Sequence, residues 1–471
     1  MNGPIRRVTV VAMLMSLALL VNVSVTYLVR QDSLNANPQN RRVTDAAFAQ
    51  DRGAILVGNT PVAETVASKD QFKFQRRYPQ GDLYAPITGY FSYLFGSSEL
   101  EQSYGSQLSG NDSSQFVNRL IDLATGGKPK GANVQTTLDA RAQRAASDAL
   151  GNLKGAVVAL NPKTGAILAL VSSPTFDPND LATHNMSDSQ RAWRALTRDA
   201  AKPMSNRATR EIFPPGSTFK VIVSAAALEA GYEPESELDS SAFKLPGTNT
   251  VIASNCGSQQ TLARALAMSC NAAFARLGVK LGANALRDQA EKFGFGTKPL
   301  SDIGSVASRF PDEIDVPQTG LASIGGFDVA ATPLQMAMVA AAVRNDGVVM
   351  QPYLVESVRS ADLQVLSQTR PSQLSLATSS SNAAKLRQMM VEVVNSGTGW
   401  RARIPGVTVG GKTGTANSDN VRTPYAWFIS WATDPEVAVC VFVQDAEMEA
   451  TDVAGGRVAA PIAKAVIEAM R

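Results

Sequence analysis

The chain has 471 residues, a formal net charge of +3, 44% hydrophobic and 18% charged residues. That length accommodates two or three domains with a large core, and the composition is that of a globular protein rather than a disordered one. The near-neutral balance, without a long basic run, argues against nucleic acid as a partner; a Ser-His-Asp enzyme would have to use the one histidine, His184, and one histidine with three cysteines leaves hardly any basis for a zinc site.

Arg6 and Arg7 precede an uncharged run over 8–29, which Arg30 closes. As a helix this run spans about 33 Å, enough for a bilayer core. It is longer than the ~7–15 residue core of a cleaved signal peptide, and no A-x-A-like site ends it. It therefore reads as a retained anchor, with residues 1–7 as a cytoplasmic tail and the bulk of the chain on the other side. Arg6 and Arg7 favour that orientation, while Arg30, Arg41 and Arg42 count against it.

Residues 31–42 are polar and read as a linker. Residues 43–130 mix strand-like pieces (AILVG, FKFQRRYP) with a Gly/Ser-rich stretch near 96–114, which suggests a small, irregular module. The texture changes near Val134. TTLDARAQRAASDALGNL has helical periodicity and opens on Thr136-x-x-Asp139, a capping-like signal. AVVALN and AILALVSS, separated by Pro162-Lys163-Thr164-Gly165, read as a β-hairpin. Helices are predicted for KVIVSAAALEAG, for most of TLARALAMSCNAAFARLGVKLG, and for TPLQMAMVAAAVRNDG with proline near its start and glycine after its end. The Ser/Thr-rich stretch 368–382 reads as a surface loop. VTVGGKTGTAN, AWFISWA and EVAVCVFVQ read as strands, and APIAKAVIEAM as a last helix. Strands at both ends with helices between them predict an α+β domain whose sheet joins early and late segments.

Outside the cytosol disulfides can form. Cys256 and Cys270 lie fourteen positions apart, and Cys440 falls within a strand-like run. A Cys256–Cys270 bridge with Cys440 free and buried is one reading; three unpaired cysteines is the other.

Three short motifs carry the chemistry, and each has more than one copy. Ser217-Thr-Phe-Lys220 follows Pro214-Pro215-Gly216 and leads into an apolar helix. This puts Ser217 in a first helical turn with Lys220 on the same face, where free N–H groups can hold an oxyanion. Ser241-Ala-Phe-Lys244 runs into Leu245-Pro246-Gly247, which blocks a helix, so Ser241 reads as structural. A serine needs a base, and lysine becomes one only if burial or a second cation lowers its pKa from about 10.4. Lys412-Thr413-Gly414-Thr415 lies within strand-forming residues and supplies that second cation, whereas Lys163-Thr164-Gly165 reads as a turn. Of the Ser-x-Asn copies, Ser269-Cys270-Asn271 falls at a break between helical segments. Its hydroxyl can shuttle a proton and its amide can orient a lysine and a substrate amide. Ser33-Leu-Asn35, Ser109-Gly-Asn111 and Ser418-Asp-Asn420 lack that setting.

Ser-x-x-Lys, Ser-x-Asn and Lys-Thr-Gly in this order resemble the serine acyltransferases that comprise penicillin-binding proteins and serine β-lactamases. RGAIL at 52–56, the spacing of Gly96, Glu99 and Tyr104, NRA at 206–208, TPLQMA at 332–337, AWF at 426–428 and the anchor resemble class B penicillin-binding proteins, in particular the short actinobacterial A type. The resemblance covers essentially the whole chain. It departs at Gly325-Gly326-Phe327, where relatives usually carry Ser-x-Gly-Gln.

The resemblance implies an antiparallel sheet with helices on both faces and an all-helical lobe. It assigns 8–29 to the anchor, 30–133 to a β-rich pedestal or dimerisation-like module, and 134–471 to a transpeptidase domain. It implies a D,D-transpeptidase that cross-links peptidoglycan stem peptides, is acylated by β-lactams, uses no cofactor or metal, and relies on a separate membrane glycosyltransferase. In that scheme Ser217 attacks the D-Ala-D-Ala carbonyl and Lys220 is its base. Ser269 relays protons with help from Lys412, and Asn271 positions Lys220 and the substrate. Lys412, Thr413 and Thr415 bind the terminal carboxylate, Gly414 allows close approach, and the N–H groups of Ser217 and Thr415 form the oxyanion hole. A serine β-lactamase, or a non-catalytic cell-wall scaffold or β-lactam sensor, are the rival readings.

Overall fold

The strand-forming runs assemble into two sheets. The computed structural model describes residues 2–30, 48–112, 130–416, 424–444 and 455–471, together with 34, 45 and 115. The larger antiparallel sheet runs in the order Val409–Ala416, Tyr425–Thr433, Glu436–Val443, Gly155–Leu160, Ile167–Ser173. The expected early hairpin thus pairs with the three late strands.

The unbroken apolar character of EVAVCVFV reflects its central place. Val437 to Val443 are all buried, because helices cover both faces. Alternation splits the strand between two cores. Cys440 and Phe442 pack with the helices Lys220–Glu229 and Pro333–Arg344, while Val439 and Val441 pack with Ala140–Leu150 and Ala460–Ala469. The helix Pro333–Arg344 starts as its sequence predicts, with Pro333 in the first turn and Thr332 Oγ1 accepting from Gln335 N at 3.0 Å.

The second sheet runs in the order Val365–Gln368, Val355–Arg359, Asn133–Thr136, Ile55–Val57, Thr60–Ala67, Phe74–Arg77. Its first two strands come from the later half of the chain, so the N-terminal module is interleaved with the region after it. Beside this sheet lies a buried charge cluster. Glu101 accepts from Arg52 Nε and Arg76 Nε, each at 2.6 Å, and from the Tyr78 hydroxyl at 3.2 Å. Burial alone would raise the Glu101 pKa, but Arg76 and Arg52 outweigh it and hold the carboxyl below its usual range.

Several expectations are corrected. The helix after Val134 starts at Ala140, not at the Thr136 signal: Asp139 is itself the cap, accepting from Arg141 N at 2.8 Å and Ala142 N at 3.0 Å. The stretch 368–382 is not one loop. Gln373–Leu376 pairs with Val348–Met350, and the helix Ser380–Asn395 begins there, capped by Ser379. The serines that suggest a loop include that cap. The strand Thr60–Ala67 and the helix Met186–Arg198 have no counterpart among the expected elements. The N-terminal helix Asn2–Val25 continues as a wider turn to Arg30, so it extends beyond the apolar run at its start. It is long and apolar enough to cross a membrane, and none of its most apolar stretch is buried in the protein.

Replacing Glu101 by Gln leaves two buried guanidinium groups without a carboxylate. Glu101→Gln is expected to destabilise the chain by about 3–5 kcal/mol, read as a lower thermal midpoint; an unchanged midpoint would refute the assigned role of the cluster.

Candidate active site

Ser217 lies in a single 3₁₀ turn, Gly216–Phe219, that leads directly into the helix Lys220–Glu229. Gly216 takes φ +52°, a backbone that favours glycine. Its N–H donates to Gly325 O at 3.2 Å, and a Cβ on Gly325 would stand 1.9 Å from Gly216 O. The departure at Gly325-Gly326-Phe327 thus keeps the glycine that this contact demands. Trp427 Nε1 donates to Pro214 O at 2.9 Å and fixes the turn from the sheet side.

Strand Val409–Ala416 brings the Lys-Thr-Gly motif to this turn. Alternation puts Lys412 and Gly414 on one face. A side chain at Gly414 would place its Cβ 2.8 Å from Pro215 O and 2.9 Å from Thr218 Cγ2, so glycine lets strand and turn touch. On the other face, Thr413 Oγ1 lies 2.6 Å from Thr398 Oγ1.

The predicted break between helical segments is present. The helices Leu262–Met268 and Asn271–Leu281 are separated by Ser269 and Cys270, and Ser269 takes the left-handed conformation (φ 61°, ψ 43°). For a non-glycine residue this costs on the order of 1 kcal/mol. The bend aims both the carbonyl and the hydroxyl of Ser269 at the lysines. Lys220 Nζ donates to Ser269 O at 2.9 Å, to Ser269 Oγ at 3.3 Å and to Asn271 Oδ1 at 2.7 Å. Lys412 Nζ donates to the same Ser269 Oγ at 2.9 Å and to Thr413 O at 2.8 Å. Lys220 thus directs its hydrogen bonds to Ser269 and Asn271, not to Ser217.

Both lysines are fully buried, and neither has a carboxylate partner among the described residues. Burial, and then the charge of Lys412, push Lys220 well below its ordinary value. Burial alone pushes Lys412 down to about 7. Two ammonium groups sharing one hydroxyl in a dry site disfavour the doubly charged state. The arrangement therefore favours loss of a proton from the lysine pair, one helical turn from a half-buried serine, which is what activation of a hydroxyl nucleophile requires.

The bridge between Cys256 and Cys270 is formed, with Cα atoms 5.7 Å apart, and Cys440 is free and buried. It ties the loop at 253–258 to the Ser269 bend. Asn255 Oδ1 accepts from Asn271 N at 3.1 Å, and Asn255 Nδ2 donates to Ser269 O at 3.4 Å. The N-cap residue Cys270 provides no side-chain cap, so Asn255 caps the helix from outside. Sequence reasoning missed Asn255 and Thr398; only their places across the disulfide and beside the strand reveal them.

The other motif copies stay apart from this cluster. Ser241 Oγ donates to Asp239 Oδ1 at 2.5 Å in a bend before the short strand Phe243–Lys244. Lys163 N donates to Asn161 Oδ1 at 2.9 Å in the tip of the hairpin, where Gly165 takes φ +81°. Ser109 donates to Ser106 O within the N-terminal module. Ser33, Asn35 and the Ser418-Asp-Asn420 copy lie outside the described residues. His184 pairs with Asp70 and packs on Phe72.

Residues 155–468 match the family described as the penicillin binding protein transpeptidase domain, and residues 52–134 match the penicillin binding protein A dimerisation domain. The chain is 42% identical to the peptidoglycan D,D-transpeptidase PbpA of Mycolicibacterium smegmatis, an alignment covering all of this chain and 99% of that protein. The identity to the protein of the same name in Mycobacterium tuberculosis is also 42%, with the same coverage. Among solved structures, penicillin-binding protein A of M. tuberculosis as a ceftriaxone acyl-enzyme complex superposes with a TM-score of 0.86 at 41% identity, covering 90% of this chain and 99% of that one. Pseudomonas aeruginosa PBP2 superposes with a TM-score of 0.75 at 28% identity, covering 89% and 95%. With a family match over two thirds of its length and relatives matched end to end, the chain belongs to the penicillin-binding protein transpeptidase family.

Proposed function

We propose that this chain is a membrane-anchored peptidoglycan D,D-transpeptidase acting through an acyl-Ser217 intermediate. The observation that carries this reading is the convergence of the two buried lysines on Ser269 Oγ beside the Ser217 turn. The acyl-enzyme complexes of its M. tuberculosis relative support it.

Neutral Lys220 takes the Ser217 proton, and Ser217 Oγ attacks the carbonyl of the penultimate D-Ala. The N–H groups of Ser217 and Thr415 receive the oxyanion; the tight approach of Gly216 to Thr415 O, where a Cβ would stand at 2.7 Å, supports that pairing. The proton reaches the leaving D-Ala amine through Ser269, with Lys412 assisting. Lys412, Thr413 and Thr415 hold the terminal carboxylate, and Gly414 keeps the strand against the turn. Val409–Ala416 is an edge strand, so its free side suits an extended peptide. An acceptor amine then resolves the ester. β-Lactams enter the same path.

In this reading the helix at 8–29 anchors the chain with residues 1–7 in the cytoplasm, residues 30–133 form a pedestal, and residues 134–471 form the catalytic domain outside the membrane. Neither matched domain is a glycosyltransferase, so glycan polymerisation falls to a separate membrane glycosyltransferase.

Two measurements test the proposal. Fluorescent penicillin should label the wild type and the Ser241→Ala form alike, and Ser217→Ala should lose the label. Retention by Ser217→Ala would sink the proposal, and an adduct hydrolysed at about 1 s⁻¹ would point to a lactamase instead. The base must be unprotonated, so acylation should fall as pH drops through an apparent pKa set by the lysine pair, Lys412 itself lying at about 7. Below it the rate should change roughly tenfold per pH unit; a flat profile from about pH 5 to about pH 9 would rule out a lysine base.

A further inference from the structure

We propose that the pocket beside Thr413 is an acceptor-side subsite that takes a carboxylate of the strand whose amine resolves the acyl-enzyme. This rests on the transpeptidase reading and extends it to the second substrate.

The pocket has a volume of about 270 Å³ and is lined by Met268, Gly397, Thr398, Trp400, Arg401 and Arg457, among others. Three features set it apart. First, it adjoins the catalytic machinery on two sides. Thr398 hydrogen-bonds Thr413 at 2.6 Å, and Met268 immediately precedes Ser269. Second, among the described residues its lining contains Arg401 and no acidic residue, so it offers a cation. Arg401 has no ion-pair partner among the described residues. Third, Trp400 is 51% exposed, and the Arg401 guanidinium carbon lies 4.8 Å from its ring centroid. An aromatic face under a guanidinium orients that group while leaving its N–H edge free for a carboxylate.

The reaction places the acceptor here. In acylation the amine of the terminal D-Ala leaves from the side where its own carboxylate is held, against Thr413. Deacylation is the same exchange reversed. The acceptor nitrogen forms a bond to the ester carbonyl carbon, the C–O bond to Ser217 breaks, and the amine's proton passes through the lysine–serine cluster to Ser217 Oγ. The acceptor amine must therefore approach from the leaving-group side. The part of the acceptor strand beyond that amine extends past Thr413, along the wall that Thr398 forms, into the pocket. A cationic pocket at that place selects an acceptor with a carboxylate over one with a neutral amide, by a charge-assisted bidentate contact.

The test uses the full chain in detergent, acylated by a thioester donor ending in D-Ala. Two acceptor dipeptides with the same reacting amine are compared, one with a distal carboxylate and one with a carboxamide there, and the ratio of aminolysis to hydrolysis is read. The wild type should prefer the carboxylate by on the order of tenfold, the factor that one charge-assisted contact supplies. Arg401→Gln should reduce the preference to within about threefold, and Arg401→Lys, which keeps the charge but loses the stacked fork, should fall between the two. The ratio is read only on variants that still take fluorescent penicillin, which shows that their site is folded. A wild type without preference, or an Arg401→Gln form that keeps it, overturns the subsite. A wild type that takes no penicillin label overturns the transpeptidase reading instead.

Discussion

The site depends on one shared hydroxyl. Ser269 Oγ lies 2.9 Å from Lys412 Nζ and 3.3 Å from Lys220 Nζ, and both lysines are fully buried. Two amines so placed resist carrying two protons, and in the proposed mechanism that resistance makes one of them the base. It holds only while three distant segments, at 220, 269 and 412, stay within hydrogen-bond reach of one another.

The surrounding structure secures each segment separately. The Ser217 turn is pressed against the strand by the missing side chains of Gly414 and Gly216, and its carbonyl at Pro214 is tied to Trp427. The strand is backed by Tyr425–Thr433 along its whole length and by the Thr398–Thr413 contact on its far face. The Ser269 bend is the weakest of the three, because its left-handed backbone is unfavourable. It is also the one with a covalent tie, the Cys256–Cys270 bridge, and with the outside cap from Asn255. Reinforcement is concentrated where the backbone is strained.

Much of this was legible in the sequence, for identifiable reasons. The central strand advertised its burial on both faces by an unbroken apolar run, and the helix at 333–344 carried its own start signals. Context separated the motif copies that converge in the structure from those that stay apart: Leu245-Pro246-Gly247 set Ser241 aside, and Asn161-Pro162 made Lys163 a turn. The illegible parts lack local signals. Asn255 is an ordinary loop residue until the disulfide brings it to Asn271, and Thr398 is ordinary until the strand lies beside it. The helix at 380–395 was hidden because its capping serines look like a loop, and the strand at 355–359 because pairing with 133–136, more than two hundred positions away, leaves no local periodicity.

Two buried charge clusters in this chain show opposite solutions to one problem. Arginine does not give up its proton in a protein, so Arg52 and Arg76 are buried only together with Glu101, which both of them grip at 2.6 Å. That cluster stays charged, and it ties together the segments at 52, 76 and 101 of the N-terminal module. Lysine can lose its proton, and among the described residues Lys220 and Lys412 are buried with no carboxylate, only hydroxyl, amide and carbonyl oxygens. A glutamate in that second cluster would hold both ammonium groups protonated and remove the base. In the proposed mechanism the absence of an acidic partner around Lys220, among the described residues, is therefore as necessary as the lysine itself, and the choice of lysine over arginine decides which of the two clusters can act as a base.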